Sequence, residues 1–91
     1  IVMHGAVINA GAVVGKNCII NSQSLVEHDV VIADHCHIAT AATINSGVCI
    51  GTGTFIGSNS SVKQGVSIGD RCVIGMGQHV LANCEARISM P

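Results

Sequence analysis

Every sixth residue from Val2 is a β-branched aliphatic: Val2, Ile8, Val14, Ile20, Val26, Ile32, Ile38, Ile44, Ile50, Ile56, Val62, Ile68, Ile74 and Val80. The lane runs without an insertion. A second lane starts four residues further on and holds Ala6, Ala12, Cys18, Ser24, Val30, Cys36, Ala42, Val48, Thr54, Ser60, Val66 and Cys72, all small or β-branched. Across the repeat boundary the two lanes are two residues apart. On an extended backbone they therefore point to the same side, and together they form the interior. A helix is excluded, because period six carries successive aliphatics to different helical faces.

All eleven glycines fall in two further lanes. Gly15, Gly51, Gly57, Gly69 and Gly75 directly follow the aliphatic residue, and Gly5, Gly11, Gly47, Gly53, Gly65 and Gly77 lie three after it. Asn9, Asn21 and Asn45 share the first of these lanes, which predicts positive φ there. Every charged residue except Glu85 lies in or between the glycine lanes, which places it at a corner. Short strands and tight corners every six residues predict an all-β fold, a left-handed parallel β-helix. It should have about five triangular coils of 18 residues, with strands about 4.8 Å apart.

Composition agrees with a thin, regular core: 48% of residues are apolar, yet there is one Phe and no Trp or Tyr. The net charge of −1 and four scattered basic residues give no footprint for nucleic acid or an anionic membrane. No run of apolar residues is long enough to span a bilayer, and the N-terminus lacks the zones of a signal peptide. Cys18, Cys36, Cys72 and Cys84 fall in the small interior lane. Cys18 and Cys36 lie one coil apart, within disulfide reach, but free thiols acting as small buried hydrophobes are the better expectation. Reduced thiols in turn predict a cytoplasmic protein. Cys49 points outward. There is no CxxC pair, and no metal site is expected.

Two histidines stand out by position. The outward lane of one face reads Ile19, His37, Phe55, Val73, an apolar column that a chain this small must cover with a partner. The corner opposite carries Glu27, His28 and Asp29, with Gly11, Gly47 and Gly65 beside Asp29. A corner and its opposite face cannot meet within one prism. If His28 and His37 act together they do so between subunits, and a three-sided prism predicts a homotrimer. His4 and His35 lie at corners as solvated surface, and His79 occupies an outward lane without an assigned role.

The repeat resembles the hexapeptide acyltransferase superfamily over the whole chain. The stretch Ser24-Leu25-Val26-Glu27-His28-Asp29-Val30-Val31-Ile32, followed by His35-Cys36-His37-Ile38, is similar to the sialic acid and bacillosamine acetyltransferases. Those proteins carry a Glu-His-Glu-like motif and a second histidine nine residues beyond the first. The resemblance implies an acetyl-CoA-dependent acetyltransferase acting on a sugar or nucleotide sugar. His28 would be its general base, supported by Asp29, which stands where the family usually has Glu. His37 would meet the acetyl end of acetyl-CoA, and the backbone near Ser46, Ser58 and Met76 would line it. The family's N-terminal nucleotide-binding domain and its C-terminal Pro-Ala-Lys/Arg segment have no counterpart here. Residues 1–91 are therefore expected to be the acyltransferase domain of a longer protein.

Two other readings stand beside this one. A trimerising scaffold would keep the apolar face and make His28 dispensable. A lyase resembling the γ-class carbonic anhydrases would need zinc histidines, two of them five residues apart, and no two histidines have that spacing.

Overall fold

In a computed structural model that describes all of residues 1–91, each repeat contributes one two-residue strand and one corner. The strands are β1 (Val7–Ile8), β2 (Val13–Val14), β3 (Ile19–Ile20), β4 (Leu25–Val26), β5 (Val31–Ile32), β6 (His37–Ile38) and β7 (Thr43–Ile44), continuing with β8 (Cys49–Ile50), β9 (Phe55–Ile56), β10 (Ser61–Val62), β11 (Ser67–Ile68), β12 (Val73–Ile74), β13 (His79–Val80) and β14 (Ser89–Met90). Every third strand stacks in parallel. Sheet I is β1-β4-β7-β10-β13, sheet II is β2-β5-β8-β11, and sheet III is β3-β6-β9-β12-β14. The result is the left-handed β-helix of about five coils that the lanes predict, 28 × 22 × 22 Å in extent.

The aliphatic lane is the core. From Ile20 to Val80 none of its members is more than 2% exposed, and each contributes about 1.5–3 kcal/mol by leaving water. The small lane has a second duty. Ser24 Oγ donates to Ala39 O at 2.8 Å, Thr54 Oγ1 to Gly69 O at 2.8 Å and Ser60 Oγ to Gly75 O at 2.7 Å. The thiols of Cys18, Cys36 and Cys72 reach Ala33 O, Gly51 O and Glu85 O, each at 3.1 Å. Ser, Thr and Cys thus interchange because each puts a donor on a corner carbonyl of the next coil. No buried polar side-chain atom is left unpaired. All five cysteines are free, so no Cys18–Cys36 bridge forms. Burial pushes the Cys36 and Cys84 thiols up, which keeps them protonated.

Two expectations need correction. Positive φ is confined to the lane three residues after the aliphatic, where Asn17, Gln23, Asp29, His35, Ala41, Asn59, Arg71 and Arg87 join the six glycines. The lane directly after the aliphatic, which includes Asn9, Asn21 and Asn45, has ordinary φ. Its glycines answer to crowding instead: a Cβ on Gly57 would lie 2.5 Å from backbone atoms of Gly75 and Met76.

The register also slips at the end. Ile68 pairs with Cys84 and Ile74 with Met90, so the last coil is two residues short. Cys84 therefore continues the aliphatic lane, not the small one. Ile88 takes the small-lane place, accepting from Val73 N at 2.9 Å. Glu85, the one charge outside the corner lanes by count, falls at a corner once the shift is applied.

Candidate active site

The corner geometry leaves one backbone group spare. In the corner 57–59, Gly57 N donates to Ile74 O of the next coil at 2.7 Å, and Asn59 N donates to Thr40 O of the previous one at 3.0 Å. The N–H of the middle residue, Ser58, points out of the ladder and has no partner in the chain. The same holds for Thr40 and Met76, which share the corner column between sheets III and I. Lower in that column, Ser22 N donates to Asn21 Oδ1 at 2.8 Å. Between sheets II and III two of the four equivalent amides are capped by carboxylates, while those of Asp34 and Asp70, like all four at the I–II corner, have no partner in the chain. Lys16 N donates to Asp34 Oδ1 and Thr52 N to Asp70 Oδ1, both at 2.8 Å.

His28 occupies the middle position of the corner between sheets I and II, and Ser46 stands directly above it, with Gly47 N donating to His28 O at 3.0 Å. The His28 side chain is 60% exposed, as a group that must meet another molecule should be. Its Nδ1 lies 3.4 Å from Glu27 Oε1, and that same oxygen accepts from Asn9 Nδ2 at 2.7 Å, one coil below. The Asp29 carboxylate lies instead over Gly11, where it fills the space a Cβ on that glycine would need.

His37 stands on sheet III, half-buried in the apolar column. Its ring meets Phe55 edge-on, with centroids 5.2 Å apart and planes at 82°. Asn21 Nδ2 lies 3.4 Å from His37 Nε2 on the other side. The ring is thereby fixed from two directions, and the column around it (Ile19, Phe55, Val73) remains apolar and outward.

The expected residues therefore form two groups. His28, Asp29 and Ser46 share the I–II corner, whereas His37, Ser58 and Met76 gather where sheet III meets the III–I corner. Ser46 is separated from the other residues expected to line acetyl-CoA. The sequence named Glu27 only as part of the corner motif, and Asn9 and Asn21 not at all as neighbours of the histidines. The signal for the first two was the 18-residue spacing between Asn9 and Glu27, one coil in one corner column. No group of three or more His, Cys, Asp or Glu side chains is placed to hold a metal ion.

Residues 47–82 match the hexapeptide repeat of succinyl-transferase. The chain is built of hexapeptide repeats, and that match covers residues 47–82 of it. No curated protein matches it in sequence. Among solved structures, this hexapeptide-repeat chain is similar to the perosamine N-acetyltransferase of Caulobacter crescentus, in a histidine-to-asparagine mutant complexed with CoA and GDP-perosamine. Identity is 28%, over 97% of this chain and 45% of that one, with a TM-score of 0.92. It also matches the acetyltransferase domain of PglB from Neisseria gonorrhoeae in complex with acetyl coenzyme A. There the identity is 22%, over 98% and 46% of the two chains, with a TM-score of 0.73. The hexapeptide-repeat chain thus spans a little under half the length of these acetyltransferases. Repeat and fold are those that the chain shares with these acetyltransferases.

Proposed function

We propose that the chain is the acetyl-transferring domain of an acetyl-CoA-dependent enzyme that acts on an amino or hydroxyl group of a nucleotide sugar. The observation that carries this reading is the open amide column of Thr40, Ser58 and Met76 beside His37. Unpartnered N–H groups in a row suit the carbonyls of an extended pantetheine arm, and small corner residues let it approach. The solved relatives support the substrate class, because their complexes hold CoA, acetyl-CoA or GDP-perosamine.

In the proposed reaction the acceptor nitrogen or oxygen attacks the thioester carbon while His28 takes its proton through Nε2. The new C–N or C–O bond forms, the C–S bond breaks, and the proton passes on to the departing thiolate. His37 or a corner N–H holds the developing oxyanion. An acid at the corner, Asp29 by resemblance, supports the imidazolium. Because His28 and His37 lie on opposite sides of the prism, His28 would serve acetyl-CoA held on a neighbouring subunit of a homotrimer. Ser46, at the His28 corner, would line it from that side. Five free thiols suit the cytoplasm, and no helix is long and apolar enough to cross a membrane.

His28→Ala should lower transfer about a hundred- to ten-thousandfold while leaving the circular dichroism spectrum and the trimeric assembly unchanged. A parental rate in that variant would overturn the assignment. Phe55→Asp should dissociate the trimer by placing a charge in a desolvated contact. Light scattering checks this, and a monomeric parent protein would remove the proposed arrangement.

A further inference from the structure

The carboxylate that acts on His28 need not be the one that follows it. We infer that Glu27, held by Asn9, is the positioning residue for the His28 imidazole, and that Asp29, whose carboxylate lies over Gly11, is not. This rests on the reading of His28 as general base and assigns the part of the site that keeps it productive.

Three observations carry it. Glu27 Oε1 is 3.4 Å from His28 Nδ1, longer than a formed hydrogen bond but closed by a small change of rotamer. Glu27 is itself anchored, since the same oxygen accepts from Asn9 Nδ2 at 2.7 Å. Its side chain is 27% exposed, whereas Asp29 is an exposed residue with its carboxylate over Gly11. A half-buried, anchored carboxylate keeps more of its charge unscreened by water than an exposed one. The other groups around His28 carry no charge: Ala10 stands below it, Ser46 above, and Gln64 two coils up. Lys63, beside Gln64, is the nearest cation in the neighbouring column.

The chemistry follows from which nitrogen carries the proton. A carboxylate at Nδ1 holds the neutral ring with its hydrogen there and leaves the Nε2 lone pair free for the acceptor. When Nε2 takes the acceptor's proton, Glu27 faces the imidazolium at Nδ1 and favours it. Asn9 fixes where Glu27 stands and touches no substrate.

The test uses the full-length enzyme with selectively ¹⁵N-labelled histidine. In the parent, the neutral His28 ring should show an Nδ1–H tautomer, and Glu27→Gln should shift the balance toward Nε2–H. The same variant should lose about ten- to a hundredfold in kcat, with KM for acetyl-CoA and acceptor little changed. Asn9→Ala should lose less, and nothing further when combined with Glu27→Gln, because both act along one path. On a His28→Ala background Glu27→Gln should have no effect. If Asp29→Asn carries the loss and moves the tautomer while Glu27→Gln does neither, the assignment to Glu27 is overturned and His28 stands. If His28→Ala retains the parental rate, the general-base reading itself has failed.

Discussion

Two corners of the same prism share a backbone and differ in what they do with one amide. Between sheets II and III, Asp34 and Asp70 reach down one coil and take the N–H groups of Lys16 and Thr52 at 2.8 Å. Between sheets III and I, the matching N–H groups of Thr40, Ser58 and Met76 have no partner in the chain. In the first corner carboxylates close two of the four amides and would repel an anionic ligand. The second is lined by small or neutral side chains and leaves its donors to whatever arrives. The repeat builds both alike, so the side chains at and beside the middle corner position, not the backbone, set the two corners apart.

Proline can break that difference, because this position has the setting of the second residue of a type II turn. The next residue has positive φ, and Ser60 N returns to Gly57 O at 3.2 Å. Proline fits that place and needs no N–H. Ser58→Pro combined with Met76→Pro should therefore fold normally and weaken acetyl-CoA binding roughly tenfold or more, at about 1 kcal/mol for each lost donor. Isothermal titration of the pure protein measures it, and unchanged affinity would mean that the open amides hold no ligand. Thr52→Pro should behave in the opposite way. It strips the Asp70 carboxylate of its donor and should cost about 1–2 kcal/mol of stability, by chemical denaturation, without touching acetyl-CoA affinity.

The contrast also marks how far the sequence could be followed. Interior lanes were legible because burial imposes one rule on every coil: Ile38, Ile56 and Ile74 must all be aliphatic or the stack opens. The places of His28, on a corner, and His37, on an outward face, were legible from the register. The closed corner was not, although Lys16 with Asp34, and Thr52 with Asp70, sit one coil apart just as Asn9 and Glu27 do. Those pairs concern partial charges at short range, and lane composition does not record which way a side chain leans. The slip after Val80 was hidden for a related reason. Ala86 fits the lane count well enough by size, but the chain gains more by placing Cys84 and Met90 over Ile68 and Ile74. Asparagine misled in the first glycine lane, where its amide is used for bonding (Asn45 Nδ2 to Val62 O at 2.8 Å) and not for a left-handed turn.

The smallest effect sharpens the comparison from the side of conformation. Ala41 sits in the open corner column with φ 60°, a left-handed setting without side-chain reward, and its N–H already donates to Ser22 O at 3.0 Å. Holding a non-glycine residue there costs on the order of 1–2 kcal/mol. Ala41→Gly removes that strain but loosens the unfolded chain, which costs about 0.4–1 kcal/mol in return. A net gain of a few tenths to about 1 kcal/mol is expected by denaturant unfolding, with acetyl-CoA affinity unchanged. The reverse exchange higher in the same column is the control. A Cβ on Gly77, at φ 68°, would meet no atom within 4 Å, so Gly77→Ala changes conformation without a clash. It should lose about what Ala41→Gly gains. Equal and opposite shifts would show that the left-handed lane is a matter of backbone preference alone. That leaves the neighbouring middle lane, with its open amides, as the part of the corner that contact with a ligand can shape. If Ala41→Gly instead destabilised the fold, the alanine methyl would be making a packing contribution, and the division of the corner into a strained lane and a binding lane would fail.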